Sequence, residues 1–169
     1  VIEDLVELEH PLSSDMNVLR PSLLQGLLDS MHNNLTRQNH DLALFEIGRV
    51  FVPAAEGMTE SRKVGLLLTG SRNVAFWQGD GLKVDAMDLK GAVEALLESL
   101  GVFGVQFARR NEATALFVES AELKMGKNVI GQLGQLLPAL GKQYEVRDAV
   151  FLAELDLDTL LQRRTTNKS

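Results

Sequence analysis

From residue 105 onward the chain offers four strand-length segments in close succession, Val105 to Arg109, Ser120 to Met125, Val129 to Leu136 and Ala149 to Asp156, joined by tight turns. Strands that cluster in this way, instead of alternating strictly with helices, favour an antiparallel sheet and hence an α+β fold. Gly126-Lys127-Asn128 reads as a hairpin connection, because Gly and Asn tolerate the positive φ that short β turns need. Earlier in the chain, Asp4 to Glu9 alternates polar and apolar residues up to Pro11, and Leu42 to Val52 is a strand pattern stopped by Pro53. Lys63 to Thr69 is a near-continuous apolar run, the kind expected of a strand covered on both faces.

Two segments carry the helical period. Leu23, Leu24, Leu27, Leu28, Met31 and Leu35 form one stripe after Pro21, with Gln25, Asp29, Asn33 and Arg37 away from it. The stripe is wider than a minimal seam, so the helix could pack on its own sheet and still offer an edge to another chain. Leu89, Val93, Leu96, Leu97 and Leu100 form the second, from about Asp85 or Ala86 to Leu100, with Asp85 as N-cap and Gly101 as the stop. Short helical turns are expected at Pro138 and from Asp158 to Arg163. The expectation is one α+β module over residues 1–169, an antiparallel sheet flanked by helices.

With 45% hydrophobic residues, 169 residues can bury one real core. The net charge of −6 makes a poor general ligand for nucleic acid, since phosphate contacts rely on clustered Lys and Arg. Arg109-Arg110 and Arg163-Arg164 are the only adjacent Arg pairs. The absence of cysteine excludes disulfides and thiolate metal sites and agrees with a cytoplasmic location. No apolar run approaches bilayer length, and no leader pattern opens the chain, so no membrane partner is expected. A start at Val1 directly in strand-like sequence suggests a segment of something longer.

The search for chemistry yields no active site. His10, His32 and His40 stand at no metal-ligand spacing, so no metal residues are assigned. Gly134 to Lys142 lacks P-loop spacing, and no Ser or Thr follows the lysine to reach a magnesium ion. None of Ser13, Ser14, Ser22 and Ser30 lies in a Gly-x-Ser-x-Gly elbow. The carboxylate pairs Asp85/Asp88 and Asp156/Asp158 fit helix N-termini, where the macrodipole favours negative charge. No catalytic or cofactor-binding residue is assigned within the segment.

Several motifs resemble one family. His10-Pro11-Leu12-Ser13-Ser14-Asp15-Met16-Asn17-Val18-Leu19-Arg20-Pro21-Ser22-Leu23-Leu24, continuing to Gly26-Leu27-Leu28, is similar to the "NPLSSDMSVLRPSLLPGLL" segment of the phenylalanyl-tRNA synthetase β chain. Leu44-Phe45-Glu46-Ile47-Gly48-Arg49-Val50-Phe51 matches its "LFEIGRVF" strand. Gly65-Leu66-Leu67-Leu68-Thr69-Gly70, Asp88-Leu89-Lys90-Gly91 and Ile130-Gly131-Gln132-Leu133-Gly134 follow in family order. The family's first Asn is His10 here, and Ala115 to Ser120 replaces an expected His-Pro-Gly-Arg-Ser-Ala stretch.

The resemblance implies a class II synthetase-like core that helps to build an α2β2 enzyme in which the α subunit joins phenylalanine to tRNA(Phe), with ATP and Mg2+ used by the whole enzyme. In active class II domains the motif 2 strand leads to an arginine that holds the ATP α-phosphate. Here Gly48-Arg49-Val50-Phe51 runs into Val52 and Pro53, and an aliphatic side chain cannot supply that forked, charge-assisted donor. No Gly-rich motif 3 strand appears near the C-terminus either. By family analogy the first helix contributes to the α-subunit contact, with Leu24, Leu28, Met31 and Leu35 as candidates. The alternative is a free-standing binding or regulatory paralogue that kept the fold and lost the complex.

Overall fold

The computed structural model describes residues 6–7, 18–72 and 81–166. A two-residue ladder joins β1 (Val6–Glu7) to β2 (Val18–Leu19), with Val6 opposite Leu19. The rest of the expected first strand, the loop at residues 13–15 and most of the loop around Trp77 lie outside the described residues. The main sheet is built from β3 (Leu42–Pro53), β4 (Met58–Thr69), β5 (Gln106–Arg109), β6 (Phe117–Met125), β7 (Asn128–Leu136) and β8 (Val150–Asp156). Its spatial order is β3-β4-β8-β7-β6-β5, and every neighbouring pair is antiparallel.

The helices are α1 (Leu24–Thr36), α2 (Ala86–Ser99), α3 (Pro138–Gln143) and α4 (Leu157–Thr166). The α2 start is as expected: Met87 N and Asp88 N donate to Asp85 Oδ1 at 2.9 and 3.0 Å, and Asp85 N donates to Asp88 Oδ2 at 2.9 Å. This reciprocal cap satisfies backbone donors that a helix start otherwise leaves open. At the other end Gly101 takes φ +68°, a left-handed stop suited to a residue without Cβ. Pro21 falls before α1, and the Ser22 hydroxyl accepts from Leu24 N at 3.1 Å.

Strand β4 starts five residues earlier than its apolar run, because β3 pairs with it over the whole length from Leu42↔Thr69 to Pro53↔Met58. The ladder carries polar Thr59, Glu60, Ser61 and Arg62 into strand conformation, which tertiary pairing can impose over local pattern. Alternation along β4 then divides the core. Val64, Leu66 and Leu68 face α2 and α4 together with Phe151, Ala153, Leu155, Leu123 and Leu133. Leu67 faces α1 with Leu152, Val150, Phe117 and Leu136. The sheet is therefore covered on both sides, with α1 over β3, β4 and β8.

Candidate functional site

The face of the sheet that carries α1 also carries a row of carboxylates. Directly paired residues share a face in an antiparallel ladder. One rung runs from Glu46 on β3 through Gly65, Glu154, Gln132 and Glu122 to Ala108 on β5. Three glutamates thus span a single row, and each is answered by donors from the chain itself.

Glu46 accepts from Arg20 Nη1 at 2.6 Å. Glu154 accepts through one oxygen from Ser22 Oγ at 2.9 Å and from Leu23 N at 2.7 Å. Glu122 accepts from Arg110 Nη2 at 2.8 Å, with Lys124 Nζ at 3.3 Å. The hydrogen bond from Arg110, followed by that from Lys124, holds the Glu122 carboxyl below the usual glutamate range.

Between Glu46 and Glu154 the row has a glycine, and that gap is filled. A Cβ on Gly65 would stand 2.8 Å from Leu27 Cδ1 and 3.4 Å from Leu23 Cβ; one on Gly48 would stand 3.0 Å from Leu23 Cδ2 and meet Arg20 Nη2. The lead-in to α1, Arg20 to Leu24, crosses this glycine floor and is tied down at both sides. Arg20 Nε donates to Arg49 O at 3.0 Å, and Phe51 N donates to Arg20 O at 2.9 Å. Leu23 has no exposed surface. The floor of this face is filled by the chain's own leucines.

The positions tied by resemblance to nucleotide binding lie at the ends of neighbouring strands. Val52 is paired with Thr59 beside the β3–β4 turn, where Ala54 N donates to Gly57 O at 3.0 Å, and Pro53 closes the strand. Strand β8 reads Val150 to Asp156 with no glycine and runs straight into α4, whose first turn includes Asp158. Asp158 accepts from Arg62 N at 2.8 Å and Arg62 Nε at 2.7 Å; the backbone bond first and the side-chain bond second lower its carboxyl below the aspartate range. Arg49 lies 2.7 Å from Glu60, and Lys63 lies 4.0 Å from Asp156. Arg20, Arg49, Arg62, Lys63, Arg110 and Lys124 each sit against a carboxylate, so none presents an uncompensated charge of the kind a polyphosphate needs.

The expected contact residues of the first helix lie on its sheet-facing side. Leu24, Leu28, Met31 and Leu35 are at most 9% exposed and pack against Leu42, Leu67, Phe117, Leu136, Val150 and Leu152. The stripe is consumed by the intramolecular core, because α1 sits flat on the sheet and the burial of all four aliphatic chains requires it. Its outer face is polar, with Gln25, Asp29, Ser30 and Asn33 exposed. Of the histidines, His32 uses Nδ1 against Tyr144 O at 3.1 Å and His40 is exposed, while His10 is outside the described residues. His32 and His40 line, with Gln38, Lys83, Glu145 and Asp148, a cavity of about 570 Å³ whose Lys83 and Asp148 pair at 3.1 Å.

Sequence reasoning missed Phe45 and Ile47, which are 71% and 59% exposed on the edge strand β3, on the face away from α1. Their alternation with Glu46 was visible; that β3 forms an edge was not.

The chain resembles known proteins in sequence and in fold. The family model described as "Phenylalanyl tRNA synthetase beta chain CLM domain" matches residues 2–157. The chain is 35% identical over 165 residues to the phenylalanine–tRNA ligase β subunit of Fusobacterium nucleatum, covering 95% of this chain and 21% of that one. With the β subunit of Bacillus licheniformis it shares 38% identity over 155 residues, covering 90% and 19%. Among solved structures, the pyrrolysyl-tRNA synthetase of Desulfitobacterium hafniense matches with a TM-score of 0.71 at 16% identity, covering 96% of this chain and 54% of that one. This last likeness concerns the fold alone. The chain spans about a fifth of the length of the relatives named here.

Proposed function

Because the chain belongs to the phenylalanyl-tRNA synthetase β chain CLM domain family, we propose that it serves as a non-catalytic core module of a phenylalanine–tRNA ligase β subunit. In this reading residues 1–169 form one module that keeps the synthetase sheet as a scaffold and supports an α2β2 enzyme. The α subunit carries the chemistry, joining phenylalanine to tRNA(Phe) with ATP and Mg2+ in the cytoplasm. Contacts of the module with the α subunit use surfaces other than the buried stripe of α1.

The observation that carries the reading is the glycine floor beneath Leu23 and Leu27. A domain that bound its own nucleotide and amino acid would leave such a floor open to them. Here the lead-in to α1 is stapled over it by Glu154, Glu46 and the edge of β3. The paired state of the nearby arginines supports the same conclusion, since transition-state charge on a phosphoryl group calls for guanidinium groups free to reach it. No helix among the described residues is long and apolar enough to cross a membrane.

Two measurements test the proposal. The full-length protein that contains this chain is expected to co-elute with its α subunit on size exclusion and to support aminoacylation; separate elution of the intact chain would favour the stand-alone paralogue. Amino-acid-dependent ATP–pyrophosphate exchange by this chain alone is expected at background, and exchange above background would identify an active site of its own.

A further inference from the structure

We draw no further inference here: the strongest candidate, the exposed Phe45 and Ile47 strip on the edge strand β3, is an unpartnered apolar face, and nothing in the structure shows what covers it.

Discussion

Two members of the carboxylate row solve the same electrostatic problem in different ways. On β8, Glu154 is partly buried under the lead-in to α1 and takes its donors from a hydroxyl and a backbone N–H. On β6, Glu122 takes its donors from the side chains of Arg110 and Lys124. The first arrangement joins two parts of the chain separated by 131 residues and leaves backbone donors stranded if it is lost. The second joins Glu122 to Lys124 of the same strand and to Arg110, just past the end of β5, side chains that water can solvate if they separate. A glutamate in one row can therefore be a tertiary fastener at one position and a side-chain ion pair two strands away.

The largest test of the covered side is Met31→Ala. Met31 is fully buried between α1 and the sheet, and its truncation is expected to cost about 3 kcal/mol by transfer and cavity terms together. Urea unfolding followed by circular dichroism measures it; a loss no greater than that of a surface substitution would mean α1 is not seated as described. Glu154→Ala is expected to cost about 2 kcal/mol, because Leu23 N loses its acceptor in a partly buried site. Amide exchange should quicken at Leu23 and Leu24 in that variant while β6 and β7 stay protected. Uniform exchange throughout would break the assignment of Glu154 as a local fastener.

Phe45→Ser probes the same strand as Glu46 but the face away from α1. With most of its ring already in water, it is expected to change the stability of this chain by no more than about 0.5 kcal/mol. A larger loss would show that Phe45 is packed in solution.

The smallest effect is expected from Glu122→Gln. The folded carboxyl titrates below its unfolded value, so its contribution is present above the ordinary glutamate range and is lost as pH falls through the depressed value. Parent and variant melting temperatures should differ slightly at neutral pH, converge in acid, and converge also at high salt. A difference that persists in acid would assign the effect to packing and not to charge.

The α+β class, the two long helices with the Asp85 cap and the Gly101 stop, and the β6–β7 hairpin at Gly126 were legible because each rests on a local period or a local turn preference. The family was legible because its motifs are contiguous runs, and the departure at Val52 and Pro53 is a matter of residue identity alone. The candidate site was legible only in part. The absence of an arginine could be read in the string, but the filled floor could not, since Gly48 and Gly65 meet Leu23 and Leu27 only after β3, β4 and α1 are stacked.

What the sequence determined by itself was most of the longer elements and the apolar side of each amphipathic helix, since spacing along the chain sets which side chains share a face. What the tertiary structure decided was how those faces are used. β8 inserts next to β4, pairing Thr69 with Val150 across most of the second half of the chain, and this leaves β3 at the edge with Phe45 and Ile47 exposed. The same stacking turns Leu24, Leu28, Met31 and Leu35 inward. The reason is physical: periodicity reports that a face must be buried, while the choice of what buries it depends on contacts between segments far apart in the chain, which no local pattern contains.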